Sequence, residues 1–306
     1  MRIRPFSCTT VALLTFAFTS VPALAAGDDD SLETRREQAL ALGAELSPLP
    51  ALAIPGLSEG AGGDGPLFIG VDDLATPTYR VDVTTGVATM QFSGFTPWGA
   101  AYDATTDRVL FNSGTTLYEW PIGGSVNLLG TITNGGGGNL SMVALAWYQN
   151  TLYATRNIAN EAVYSIDLST LVATPVIDYD DATYDFGGLS IDPATGEFYG
   201  TDDGSNDALM RINMDGSATL IAPYPVGQTD IDGLAVGGGF AYLVTDEPGD
   251  IFVWDFGGGS YATPIPNPWT TAETFSAGAW IEVVDTMPFI DGFESGDTSA
   301  WSSTVP

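Results

Sequence analysis

Residues 188–221 read GLSIDPATGEFYGTDDGSNDALMRINMDGSATLI, which is one complete unit of four short apolar runs separated by turn residues. The runs contain the strand-forming residues Leu, Ile, Phe, Tyr and Met in alternation with polar or small residues. Asp192-Pro-Ala-Thr-Gly196 suits a turn between the first two runs, and Met214-Asp-Gly216 suits a turn between the last two. The stretch therefore predicts a sheet of four consecutive strands.

The first run of this unit recurs along the chain at almost constant spacing. Small residues open it each time, and the successive starts are 45, 44, 45 and 45 residues apart, at Gly99, Ala144, Gly188, Gly233 and Gly278. Four strands in each period of about 45 residues are typical of a β-propeller blade. The small residues suit the innermost strand, where the blades crowd around the axis.

The two ends of the repeat region predict how the ring closes. The chain enters at a second-type strand that begins at Leu67 and ends on a first-type strand over residues 278–282. The last strand can therefore complete the first blade. We predict an all-β fold over residues 66–283, a monomeric five-bladed β-propeller of four-stranded blades closed by a C-terminal strand that joins the first blade. An open β-solenoid or a two-sheet sandwich is the structural alternative.

The N-terminus predicts export. Two arginines precede an apolar run that begins at Val11, and Ala23-Leu-Ala25 forms a cleavage site, so residues 1–25 are predicted to be a signal peptide. A buried N-terminal helix is the alternative interpretation. The apolar run is too short for a bilayer, and no later stretch reaches the ~20 apolar residues that a transmembrane helix needs. The predicted location is secreted or cell-surface, or alternatively periplasmic.

The segment after the signal peptide has the composition of a linker. Residues 26–65 contain a short helix candidate capped by Ser31, followed by a stretch rich in Pro, Gly and Asp. Low hydrophobicity with many turn residues is typical of a flexible arm. We therefore predict a flexible N-terminal arm in front of the propeller.

Composition excludes several classes of function. The chain has 38 acidic residues against 8 basic ones, which are all arginine, and it has no histidine. This rules out Ser-His or Cys-His catalysis and lysine Schiff bases, and a net charge of −30 argues against nucleic acid or anionic membrane as a partner. The one cysteine, Cys8, lies in the predicted signal peptide, so a large apolar core must hold the protein together without disulfides.

The repeats resemble a known group of proteins. Tyr-x-x-Asp followed by Thr-Gly-x-Ala-Thr, clearest over residues 79–89, resembles the repeats of uncharacterised bacterial secreted β-propellers and is loosely similar to NHL and YVTN-type repeats. Trp254-Asp255 is not a WD40 signature, because the Gly-His partner of that motif cannot exist here. The resemblance implies binding of a ligand or a protein more often than catalysis.

The C-terminal segment resembles a short element found on otherwise unrelated proteins. Phe289-Ile-Asp-Gly-Phe-Glu-Ser-Gly-Asp-Thr-Ser-Ala-Trp301 is similar to an Asp-Gly-Phe-Glu-x-Gly-Asp tail of secreted proteobacterial proteins. That resemblance implies that residues 284–306 are a sorting or attachment tag. The alternative is a loose tail whose aromatic side chains pack on the propeller.

Propeller topology predicts an acidic face. Loops that lead into the inner strands, and loops between second and third strands, lie on one face around the channel, where pockets commonly form. The residues on this face are Asp72, Asp73, Trp98, Arg156, Asn157, Asp185, Asp202, Asp203, Asp230, Asp232, Asp246 and Glu247. Crowded hard oxygen ligands suit Ca²⁺, and the best candidates are Asp202, Asp203, Asp230 and Asp232. The alternative is that these are solvated turn residues.

Catalysis by carboxylates is a second hypothesis. A glycosidase-like hydrolase acting on extracellular carbohydrate needs only two carboxylates, and Asp73, Asp203 and Asp246 are the candidates, on fold analogy alone. The main prediction is an exported module that binds or scaffolds an extracellular ligand or protein, with Ca²⁺ on its acidic face.

The tryptophans and one arginine also have two interpretations. Trp98, Trp147 and Trp280 could form platforms for sugar rings in the channel or belong to the core between blades. Arg156 could bind a ligand carboxylate or pair with a neighbouring aspartate.

Overall fold

A computed structural model describes residues 65–156 and 161–282, and all regular structure in these ranges is β-strand. Blade 1 contains β1 (Leu67–Val71), β2 (Thr78–Val81) and β3 (Ala88–Phe92), and blade 2 contains β4 (Gly99–Asp103), β5 (Arg108–Ser113), β6 (Thr116–Pro121) and β7 (Asn127–Thr131). Blade 3 contains β8 (Ala144–Tyr148), β9 (Thr151–Arg156), β10 (Ala162–Asp167) and β11 (Val172–Asp178). The structure contains five antiparallel sheets, and in blades 2, 3 and 4 the strands follow chain order across the sheet, so the predicted five-bladed β-propeller is confirmed.

The remaining strands complete the ring. Blade 4 contains β12 (Phe186–Ile191), β13 (Phe198–Asp202), β14 (Ala208–Ile212) and β15 (Ala218–Pro223). Blade 5 contains β16 (Gly233–Gly237), β17 (Phe240–Val244), β18 (Asp250–Asp255), β19 (Ser260–Tyr261) and β20 (Ile265–Pro266). The last strand, β21 (Ser276–Trp280), pairs antiparallel with β1 and forms the inner strand of blade 1. The predicted closure is confirmed.

Two outer strands depart from the regular pattern of the blades. The fourth strand of blade 2, β7, is mostly exposed, and its Asn-Leu-Leu-Gly-Thr sequence lacks the Ala-Thr pattern of the repeats. The outer strand of blade 5 is interrupted, because β19 ends at Tyr261 and pairing resumes in β20. Pro264 lies in the break, and proline has no N–H to donate to a strand ladder.

Small residues allow the inner strands to approach closely. A Cβ atom added to Gly99 would lie 2.6 Å from the Cα atom of Ala144 in the next inner strand. Added at Gly233, it would lie 2.8 Å from the hydroxyl of Ser276 in β21. These distances are too short for real contacts, so the prediction that small residues occupy the innermost positions is confirmed.

The core consists mainly of apolar clusters between neighbouring blades. Between blades 1 and 2, the rings of Phe68 and Phe92 lie 6.1 Å apart, and that of Phe92 stacks on Phe111 at 5.5 Å. One smaller cluster, the apolar cap, contains Trp98, Val143 and Phe275, which immediately precede three inner strands and thus lie at one end of the channel.

Several predictions concern segments outside the described residues. They are the signal peptide over 1–25, the arm over 26–65 except for Gly65, and the tail or tag over 284–306. Within 65–156 and 161–282, no helix is long and apolar enough to cross a membrane.

Candidate functional site

Three aspartates from neighbouring blades meet at the end of the channel that carries the apolar cap. Asp203 follows the last residue of β13, while Asp230 and Asp232 precede β16. Each offers a carboxylate oxygen, and the three oxygens lie within 4.8 Å of one another. We call these three residues the carboxylate cluster. Three of the four sequence-predicted metal candidates therefore come together between blades 4 and 5.

The carboxylate of Asp203 is held in a fixed orientation. Its Oδ1 accepts hydrogen bonds from the Tyr224 hydroxyl at 2.8 Å and from the backbone N–H of Ile231 at 3.0 Å. Burial, followed by the charge of Asp230, raises its pKa well above the ordinary value, although both hydrogen bonds act in the opposite direction. The surroundings of Asp203 therefore disfavour the charged form of its carboxyl group.

A glycine lies directly against two of these carboxylates. Gly187 lies where the register between β12 and β13 shifts, so the strand bulges at this point. A Cβ atom there would lie 2.5 Å from Oδ2 of Asp203 and 2.5 Å from Oδ1 of Asp232. Any side chain at this position would displace the carboxylates, so glycine allows both oxygens to come close to the strand and to each other.

A fourth acid lies in electrostatic contact with the cluster. Asp246 is 3% exposed, and its Oδ1 has no hydrogen-bond partner among the described residues. Burial raises its pKa to about 8, with further contributions from the charges of Glu247 and Asp230. Because Asp230 raises the pKa of both Asp203 and Asp246, these three carboxyl groups are electrostatically linked.

The other sequence-predicted candidates have different roles. Asp202 is fully buried and accepts hydrogen bonds from the backbone N–H of Asp185 and the amide of Asn206, so it joins the loop before β12 to the loop after β13, outside the cluster. Successive side chains of an extended segment point to opposite sides, which separates Asp202 from Asp203. Asp73 accepts hydrogen bonds from residues 75 and 76 in a turn of blade 1 and is not one of the three acids of the cluster.

Three further residues of the predicted acidic face, Asp72, Trp98 and Arg156, belong to blades 1, 2 and 3. Asp72 is buried, and its backbone N–H donates to the carbonyl of Phe275. Trp98 belongs to the apolar cap, which favours its interpretation as core. The Arg156 carbonyl accepts a bond from the Tyr179 hydroxyl, and Asn157 lies outside the described residues.

A cavity lies at the end of the channel opposite the carboxylate cluster. Its volume is about 350 Å³, and it is lined by the C-terminal halves of the inner strands and the turns that follow them. Trp147 and Trp280 are half-buried and contribute to its wall. The sequence predicts a pocket on the acidic face, at the other end of the channel. For this cavity it offers only Trp147 and Trp280, as candidate platforms for sugar rings in the channel.

The raised pKa values predict how stability depends on pH. The folded state binds the Asp246 proton more tightly than the unfolded chain does, so stability should fall as pH rises from about 4 to about 8. Unfolding midpoints measured in EDTA across this range test the prediction, and Asp246→Asn should flatten the curve. A midpoint that stays constant or rises with pH would contradict it.

The described chain is therefore a five-bladed β-propeller with a carboxylate cluster beside its channel. No protein-family model and no curated protein matches the sequence. A solved structure of a protein of unknown function from Bacteroides thetaiotaomicron is 16% identical, with a TM-score of 0.47, covering 74% of this chain and 67% of its own.

Two further solved structures show similar levels of likeness. The nidogen/laminin complex gives 12% identity and a TM-score of 0.47, with coverage of 70% of this chain and 81% of the matched chain. TolB from Acinetobacter baumannii gives 13% identity and a TM-score of 0.45, with coverage of 69% and 66%. At this level of similarity, none of the three bears on what the chain binds or does.

Proposed function

We propose that the protein is an exported, non-enzymatic binding or scaffold module whose carboxylate cluster holds Ca²⁺. The observation that carries the proposal is the approach of three carboxylate oxygens, from Asp203, Asp230 and Asp232, to within 4.8 Å of one another. The buried oxygen of Asp246, which has no hydrogen-bond partner among the described residues, is independent support. Acids that lie close together repel one another when charged, and a bound cation relieves this repulsion.

The chemistry of the donors favours Ca²⁺ over other metals. All candidate ligands are carboxylate oxygens, and the chain has no histidine, which zinc and copper sites commonly use. Ca²⁺ takes six to eight oxygen ligands in irregular geometry, so carbonyls and water can complete the shell. Mg²⁺ demands stricter octahedral geometry and gives up its water less readily.

An ion at this position would tie two blades together. Asp203 belongs to blade 4, whereas Asp230 and Asp232 lie in the loop that enters blade 5. The ion would fix that loop against its neighbour and so shape the acidic face for an extracellular ligand or protein. The absence of histidine and lysine from the whole sequence removes the commonest general bases and supports binding over catalysis.

A carboxylate-based hydrolase of extracellular carbohydrate is the second candidate. The raised pKa values of Asp203 and Asp246 favour it, since a glycosidase needs an acid that stays protonated near neutral pH. Asp73 accepts hydrogen bonds within its own turn of blade 1 and is not part of the carboxylate cluster.

Titration calorimetry with CaCl₂ tests the proposal directly. We expect one Ca²⁺ per chain, with heat and affinity lost in Asp203→Asn because this variant removes a charged ligand. Asp181→Asn is the matched control, since Asp181 is exposed and the change in net charge is the same. Equal Ca²⁺ binding in both variants would contradict the assigned site. Turnover of nitrophenyl glycosides that disappears in Asp203→Asn would instead support the hydrolase.

A further inference from the structure

The cavity at the end of the channel opposite the carboxylate cluster is built by all five blades. Each inner strand contributes one side chain that packs toward the preceding blade. In three consecutive blades this side chain is aromatic, and in the other two it is aliphatic; the five residues are Trp280, Tyr102, Trp147, Ile191 and Val236. One side of the cavity therefore has aromatic walls and the other has aliphatic walls.

The position of Trp280 is set by the protein itself. Its ring stacks on Tyr242 with centroids 5.4 Å apart and planes 9° from parallel. A Cβ atom at Gly237 would lie 2.1 Å from the indole, so the ring rests directly on the backbone of β16. Trp280 remains half-buried and lines the cavity. A rigid aromatic surface is thus in place before any ligand arrives, which lowers the cost of binding.

The turn between β8 and β9 has an unusual sequence for its backbone conformation. Gln149 and Asn150 both have positive φ, at 47° and 61°. Blade 5 makes the same two-residue connection between β16 and β17 with Gly238 and Gly239, whose φ values are also positive. The left-handed backbone conformation with positive φ costs most residues other than glycine roughly 1 kcal/mol, and asparagine tolerates it better than glutamine does. Blade 3 therefore carries strain that blade 5 avoids.

The strained turn places two amides at the cavity. Gln149 and Asn150 both line it, and both are exposed. Asn150 Oδ1 accepts a hydrogen bond from the Thr105 hydroxyl at 2.9 Å, and Gln149 Nε2 donates to the Tyr148 hydroxyl at 3.2 Å. These bonds orient the amides in the wall. Strain that persists beside a cavity indicates a functional reason for the side chains that cause it.

The mixture of groups in the wall selects the chemistry of the ligand. Glu282 is the charged residue among those that line the cavity in the described part of the chain, and no arginine joins it, so an anion is disfavoured. A small organic cation would use the aromatic faces and Glu282 but not the amide and hydroxyl donors. A neutral polyol with an apolar ring face uses the rings, the donors and the acceptors together.

We propose that this cavity binds a neutral saccharide, with Trp147 and Trp280 contacting the ring faces of the sugar and Gln149 and Asn150 bonding its hydroxyls. The volume of about 350 Å³ lies within the range of small-ligand sites. The site is separate from the carboxylate cluster, so it does not depend on the binding of Ca²⁺.

The test is titration of the full chain with glucose, galactose, N-acetylglucosamine, maltose and cellobiose. Tryptophan fluorescence and calorimetry measure the binding. Choline chloride serves as the cationic probe. The decisive variant is the double change Gln149→Gly and Asn150→Gly, which copies the turn of blade 5 and relieves strain. It should fold with an unchanged or higher unfolding midpoint, whereas affinity should fall by about tenfold or more. Met214→Gly, in an exposed turn remote from the cavity, is the control.

Each outcome decides the proposal. Saccharide binding that weakens in the double variant but not in the control supports it. Absence of binding to all five sugars, binding of choline alone, or saccharide binding unaffected by the double change would overturn it. Measurement in EDTA and again in CaCl₂ separates the two sites, because failure of Ca²⁺ binding leaves the saccharide result unchanged.

Discussion

Substitution of Gly99 by alanine is expected to lower the unfolding midpoint by about 5–10 °C. The added Cβ would lie 2.6 Å from Ala144 Cα and 2.7 Å from Leu145 N, both backbone atoms of the neighbouring inner strand. Backbone cannot rotate away as a side chain can, so two blades must separate. Overpacking of this kind costs about 2–3 kcal/mol, which corresponds to the stated shift for a domain of this size. Calorimetry or circular dichroism in a thermal scan measures it.

Gly249→Ala is the matched control for this prediction. Gly249 is exposed, and a Cβ atom there would have no neighbour within 4 Å. Its midpoint should change by less than about 2 °C, because surface changes without special backbone requirements are close to neutral. If Gly99→Ala were as stable as Gly249→Ala, the close packing of inner strands described above would be incorrect.

Asp230→Asn is expected to change stability in opposite directions with and without Ca²⁺. Asp230 raises the pKa of both Asp203 and Asp246, so removal of its charge relieves repulsion, and the midpoint in EDTA should rise by a few degrees. The same variant loses a ligand. The stabilisation of the unmodified protein by Ca²⁺, about 2.7 kcal/mol at a concentration about 100 times Kd, should therefore disappear. Thermal scans in EDTA and CaCl₂ measure both effects.

Asp181→Asn provides the comparison, since it removes one negative charge from an exposed position outside the cluster. It should keep the full response to Ca²⁺ and show little change in EDTA. A response to Ca²⁺ that survives in Asp230→Asn would mean that the ion binds elsewhere, and a lower midpoint in EDTA would mean that Asp230 stabilises the metal-free fold.

The architecture was predictable because its determinants are local and repeated. Alternating apolar residues and turn chemistry mark the inner strands, and the spacing from Gly99 to Gly278 counts the blades. Outer strands are half-exposed and tolerate irregular sequence, so β7 and the break at Pro264 carry little of the repeat pattern.

The carboxylate cluster was predictable only in part. Topology alone brings the ends of β13 and the start of β16 together, so Asp203, Asp230 and Asp232 could be grouped from sequence. The separate orientation of Asp202 and the bulge at Gly187 depend on register, which no composition pattern reveals.

The saccharide cavity was harder to recognise from sequence. Trp147 and Trp280 stood out, but an aromatic residue on an inner strand packs in the core as readily as it lines a channel. The strain at Gln149 is visible only in its φ angle. The cavity can therefore be recognised from the three-dimensional structure but not from the sequence pattern alone.

The measurement that tests the central claim most directly is thermal unfolding of the protein in EDTA and then in increasing CaCl₂, with matched MgCl₂ and NaCl. Binding of Ca²⁺ to the folded state predicts a saturable rise in the midpoint that Mg²⁺ and Na⁺ do not reproduce. A rise that follows ionic strength alone, equal for the three salts, would show that the −30 charge is merely screened and would contradict the Ca²⁺ site.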